Sequence, residues 1–174
     1  MFKTIVVATD GAEHANKAVG LASELALKYD AKLVLIHVLQ YGPIPEGLRR
    51  MLKAERLVES TASGKTKPVA GVPRWMTAVT TGKENSEELR LAAVAAEQIV
   101  SQAERATRNK GVKNVHTTVE DGDVARRILE CAERENADLI IVGSRGFSGL
   151  KGLLMGSVSH KVSELAKCTC ITVK

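Results

Sequence analysis

The chain has 174 residues, 44% hydrophobic and 26% charged, the balance of an ordinary soluble globular protein and a length that buries a full core in one domain, residues 1–174. No apolar run approaches the roughly 18 residues that a membrane span needs, and a strand pattern begins almost at Met1, which leaves no room for a signal peptide and makes a cytoplasmic location the expectation. The net charge of +5 is concentrated in residues 41–83, where eight basic residues face three acidic ones, so this stretch carries the whole excess.

Lys3 to Thr9 reads as a first strand, followed by a helix from about Glu13 to Tyr29 whose stripe Ala15, Ala18, Val19, Ala22, Leu25, Ala26 and Tyr29 has the spacing of one buried face. Lys32 to Leu39 is a second strand, a nearly continuous apolar run of the kind covered by helices on both sides. Pro45 to Ala62 has helical spacing with its basic residues outward, and Ser63 to Gly82 reads as a loop. A long helix over about 84–110 follows, with Ser86 to Leu89 as its start and Gly111 as its stop. Asn114 to Val119 is a third strand. Asp123 is placed to cap a helix over Val124 to Glu135. Asp138 to Val142 forms the fourth strand, Val158 to Lys167 a helix, and Cys170 to Val173 a short fifth strand. Strands alternating with amphipathic helices, without hairpin turns, predict βαβ units, a mainly parallel sheet and an α/β three-layer sandwich.

The three cysteines do not form a disulfide framework. Cys131 lies on a predicted helix, and Cys168 and Cys170 flank Thr169, so all three read as packing residues or free thiols. His14, His37, His116 and His160 have no sequence neighbours that build a catalytic or metal site, and no catalytic or metal-ligating residue is assigned.

The densest signal is the run from Gly143 to Ser157, which joins the fourth strand to the next helix. Glycines let backbone N–H groups approach an anion, and a helix start adds unpaired donors and a positive dipole end. Ser157 adds a hydroxyl that either donates to such an anion or caps the helix. Two residues separate Gly143 from Gly146 and nine separate Gly146 from Gly156, with Ser157 next. This is neither a P-loop nor the Rossmann fingerprint, whose spacings differ. The alternative is a glycine-rich turn that only closes the strand–helix connection.

That spacing resembles the ATP-binding signature of the universal stress protein family. The opening Ile5 to Gly11 and the segment Glu120 to Ala125 resemble the family in the same order, and Cys168 to Lys174 fits more loosely. The resemblance covers about residues 1–40 and 112–174 and weakens across the basic insert. Val124 and Thr169 stand where the family often has proline. The resemblance implies a Rossmann-like nucleotide-binding fold with strand order 3-2-1-4-5, in which Asp10 and Gly143 face each other at the switch point beyond the carboxyl ends of the strands. It further implies that Ala8, Thr9 and Asp10 lie near the base and ribose, and that Val38 offers its backbone to adenine. Gly143, Gly146, Gly156, Ser157 and Val158 would hold ribose and phosphates. Each has a plainer reading: Asp10 caps the first helix or holds its turn, Val38 is core, and Arg145 either pairs with a phosphate or is solvated.

The family implies an ATP-binding regulator of the stress response, with Mg2+ accompanying the nucleotide and a homodimer formed through the last strand. The alternatives are a slow ATPase or nucleotidyl-transferring enzyme on the same fold, and an adaptor whose basic insert meets an acidic protein. Nucleic acid is disfavoured by an aromatic content of 3% and the lack of a stacking platform.

Overall fold

A computed structural model describes residues 1–39, 50, 86–147 and 155–174. The helix read over Pro45 to Ala62, the loop after it and the middle of the glycine-rich run, Ser148–Leu154, lie outside the described residues, Arg50 aside. In chain order the elements are β1 (Thr4–Ala8), α1 (Glu13–Tyr29), β2 (Lys32–Leu39), α2 (Ser86–Asn109), β3 (Val115–Asp121), α3 (Val124–Arg134), β4 (Leu139–Gly143), α4 (Ser157–Leu165) and β5 (Thr169–Val173). The five strands form one sheet in the order β3-β2-β1-β4-β5, with every neighbouring pair parallel.

Alternation along the strands divides the core into two layers. Ile5, Val7, Leu33, Leu35, Leu139 and Ile141 point to one face, where Ala18, Val19, Ala22 and Ala26 of α1 and Ala103 of α2 cover them. Val6, Val34, Ile36, Val38, Ile140 and Val142 point to the other, beneath Ala125, Ile128, Cys131 and Ala132 of α3 and Val162 of α4. The alanines let helix backbones lie close to the sheet. The branched strand residues fill the space, each side chain contributing about 1.5–3 kcal/mol when fully buried.

Local signals account for most boundaries. Gly111 ends α2 with φ of 101°, its N–H donating to Arg108 O at 2.8 Å. Asp123 Oδ1 accepts from Arg126 N at 2.8 Å and caps α3. Most boundaries depart from the sequence reading by one or two residues, and two of the departures have a visible cause. β3 runs on to Asp121, because its ladder with β2 continues through Val38↔Glu120 and Leu39↔Asp121 after the apolar pattern stops. α4 ends at Leu165 rather than Lys167, because Ala166 adopts an extended conformation (φ −64°, ψ 133°) that leads into β5.

Candidate functional site

β1 and β4 are adjacent, and the chain leaves them toward opposite faces of the sheet: α1 covers one face and α4 the other. The crevice at their carboxyl ends is a cavity of about 260 Å³. All ten residues singled out in the sequence line it: Ala8, Thr9, Asp10, Val38, Gly143, Arg145, Gly146, Gly156, Ser157 and Val158. They come from β1 and its turn, β2, the loop after β4 and the start of α4. Ile36, His37, Val124, Ile128, Val142, Ser144 and Met155 complete most of the wall; of these, Ile36, Val142, Val124 and Ile128 belong to the core layer between the sheet and α3.

The turn after β1 is held from several sides. Thr9 N donates to Ile36 O at 2.9 Å, carrying the β1–β2 ladder one step beyond its last paired residues. His37 Nδ1 lies 2.8 Å from Thr9 O; the carbonyl can only accept, so this nitrogen carries the proton. Burial pushes the His37 imidazole below its ordinary pKa, while the bond to Thr9 and the charge of Asp10 oppose that shift. Gly11 takes a φ of 83°, which a side chain rarely adopts. Asp10 uses both carboxylate oxygens on the backbone: Oδ1 accepts from Ala12 N at 2.9 Å and Oδ2 from Phe147 N at 3.1 Å. It therefore ends β1, starts α1 and ties both to the loop after β4.

The glycines of the signature run have packing reasons for their identity. A Cβ on Gly143 would lie 2.8 Å from both Ala15 N and His14 C, so this residue lets the first turn of α1 sit against the end of β4. A Cβ on Gly146 would collide with Asp10 Oδ2. Gly156 is the N-cap of α4 and has no side chain to cap with; its N–H donates to Ser144 O at 2.7 Å. Ser157 is the first helical residue and not the cap. The donors left to an anion here are the α4 N–H groups that follow, which have no partner within the helix.

Ser144, which the sequence reading passed over, joins four segments. Its N–H donates to Val173 O of β5 at 2.6 Å. Its carbonyl accepts from Gly156 N, and Ser159 Oγ lies 3.1 Å from it. Its hydroxyl lies 2.8 Å from His14 Nδ1 on α1. His14 and His37 thus act within the scaffold. A polar residue inside the apolar run Leu35–Val38 was the sequence signal for His37. Among the described residues no group of three His, Cys, Asp or Glu side chains is placed to hold a metal ion, and no described helix is long and apolar enough to cross a membrane. The three cysteines are free, with Cys131 buried on the sheet-facing side of α3.

The universal stress protein family model matches residues 1–174. The universal stress protein YxiE of Bacillus subtilis is 32% identical over 174 residues, covering 100% of both chains. A universal stress protein solved in complex with cAMP superposes with a TM-score of 0.64 at 24% identity, covering 99% of this chain and 97% of its own. One from Archaeoglobus fulgidus in complex with dAMP gives 0.60 at 18% identity, covering 99% and 98%. The structural likenesses carry the fold; the family match spans the same residues as the sheet and its crevice, and the chain belongs to the universal stress protein family.

Proposed function

We propose that the chain binds an adenine nucleotide, with ATP as its physiological occupant, in the cavity between the ends of β1 and β4, and acts as a nucleotide-dependent regulator in stress response. The observation that carries this reading is the convergence of ten residues from four separated segments on one cavity at the strand-order reversal. The cavity has two chemically different ends. Ile36, Val38, Val124, Ile128 and Val142 offer an apolar wall suited to a base, and the start of α4 at Ser157 and Val158 offers backbone donors suited to phosphates. Two solved family relatives hold adenine nucleotides, cAMP in one and dAMP in the other.

Mg2+ fits this site only as a companion of the phosphates. Asp10 is the one carboxylate among the described lining residues, and both its oxygens already accept backbone N–H groups. Dimerisation is assigned to β5, which lies at the sheet edge with Thr169 exposed and its other four residues half-buried, the kind of edge a second copy pairs with.

The test begins with protein purified without added nucleotide, denatured so that any released small molecule is identified by mass. ATP with Mg2+ is then titrated into the emptied protein and into Val124→Trp, whose indole would fill the base end, while phosphate release is followed. Binding that falls at least about tenfold in the variant supports the reading. Sustained phosphate release would turn the regulator into a slow ATPase. No binding by the wild type would overturn the proposal.

A further inference from the structure

We infer that two copies of the chain pair their β5 strands antiparallel in one register, with Ile171 opposite the partner's Ile171 at the two-fold axis; this rests on the dimer assignment above and fixes what that assignment leaves open. β5 pairs in parallel with β4, matching Ile141 with Ile171 and Gly143 with Val173. Val173 O accepts from Ser144 N at 2.6 Å, so the backbone polar groups of Val173 face β4. Backbone direction alternates along a strand, so those of Ile171 and Thr169 face β4 too, and those of Cys170 and Thr172 face the free edge. Among the described residues β4 is the only strand paired with β5, which leaves the N–H and C=O groups of Cys170 and Thr172 without a ladder partner.

A second copy fits this edge because the same two outward residues, two positions apart, serve both sides. In an antiparallel pair, two opposed residues that face each other exchange both backbone bonds. Either Cys170 opposes the partner's Cys170, or Thr172 opposes the partner's Thr172, or each opposes the other. The first two arrangements set one outward residue against its own copy and carry the second past the end of the partner strand, to Cys168 or Lys174. The third satisfies every free group of both edges within Thr169–Val173. Side chains follow the backbone. Ile171 and Val173 pack on the α1 layer, whereas Cys170 and Thr172 turn toward α4, where Ser163 Oγ lies 3.6 Å from Cys170 Sγ and 3.2 Å from Thr172 Oγ1. The two Ile171 residues then form a non-hydrogen-bonded pair, Cα atoms about 4.5 Å apart, and close apolar surface on the α1 side. The two Cys170 residues are out of step by two positions, about 8 Å apart at Cα and beyond the reach of a disulfide.

The experiment measures mass by sedimentation and then oxidises three proteins mildly, reading covalent dimer on non-reducing gels. All three carry Cys168→Ser; the first keeps Cys170, and the others add Cys170→Ser with either Ile171→Cys or Thr172→Cys. Circular dichroism checks that each is folded. Cross-linking is expected with Ile171→Cys and with neither of the others. Cross-linking through Cys170, or with Thr172→Cys, in place of Ile171→Cys would overturn the register while the dimer stands. A dimer in which none of the three cross-links has its interface elsewhere, and a monomeric wild type has none; either result removes the register and the β5 assignment together. Thr172→Pro provides a second reading, because it deletes an N–H that faces the edge and spares the ladder with β4. It is expected to weaken dimerisation by at least about tenfold in sedimentation. Dimerisation as tight as wild type would overturn the inference.

Discussion

Gly143→Ala separates two explanations of the signature glycine. If the glycine serves close approach by a ligand, alanine weakens nucleotide binding and leaves folding alone. The structure points to packing. The added methyl would stand 2.8 Å from Ala15 N and from His14 C, and 3.0 Å from His14 O. These are backbone atoms of the first turn of α1, so no side-chain rotation relieves the contact. Gly143 is not among the residues with positive φ, so alanine meets no conformational penalty and the cost is the contact itself. Overpacking of this kind costs about 1–3 kcal/mol, and a backbone that must move as a unit places it near the upper end. At about 2–4 °C per kcal/mol for a chain of this size, the melting temperature should fall by roughly 6–12 °C. Thermal and urea unfolding of wild type and variant measure this directly. A variant that melts within about 1 °C of wild type yet loses nucleotide affinity would refute the packing argument.

Asp10→Ala leaves Ala12 N and Phe147 N without their acceptor, and by analogy with a lost helix cap should cost about 1–2 kcal/mol in urea unfolding; a change under about 0.3 kcal/mol would mean those bonds contribute nothing net. His37 is held below its ordinary pKa by burial, so the unfolded chain takes up the proton first as pH falls. Stability is therefore whole above about pH 6.5 and declines as pH drops toward the folded value. His37→Asn, which cannot charge and retains an N–H for Thr9 O, should flatten urea midpoints plotted from about pH 7.5 to 5, and parallel curves would contradict the assignment. Burial pushes the Cys131 thiol up to about 11, so it should resist alkylation in the folded protein at neutral pH and react once urea is added. Labelling of native protein at the rate of a free thiol would count against its burial.

The sheet was legible because the strands that matter are buried on both faces and spell themselves as apolar runs. β2 was read with its true ends, Lys32 and Leu39, for that reason. Caps were legible where one residue does the work, as Asp123 and Gly111 do. β3 was read two residues short because Glu120 and Asp121 join the ladder through backbone groups, which any residue but proline supplies. The gathering of the site residues was legible only through the family resemblance that the glycine spacing carries, since that resemblance implies the strand order and the positions beside the crevice. What each residue does there was not. Asp10 reaches Phe147, and Ser144 reaches His14, across 137 and 130 residues of chain, and no local pattern records a partner at that distance.

Those long-range bonds explain why the crevice exists before any ligand enters. A cavity at the end of a sheet collapses or frays unless its walls are held apart by contacts of their own. Here Asp10 ties the turn after β1 to the loop after β4, Ser144 ties that loop to α1, α4 and β5, and His37 ties β2 back to Thr9. Each bond runs within the wall, so Asp10, Ser144 and the Nδ1 of His37 already have partners in the protein. Pre-formed walls reduce the ordering cost of binding. The groups still open among the described lining residues are the first N–H groups of α4 and the buried Nε of Arg145. On the proposed nucleotide reading, a ligand would meet those groups without rearrangement of the walls.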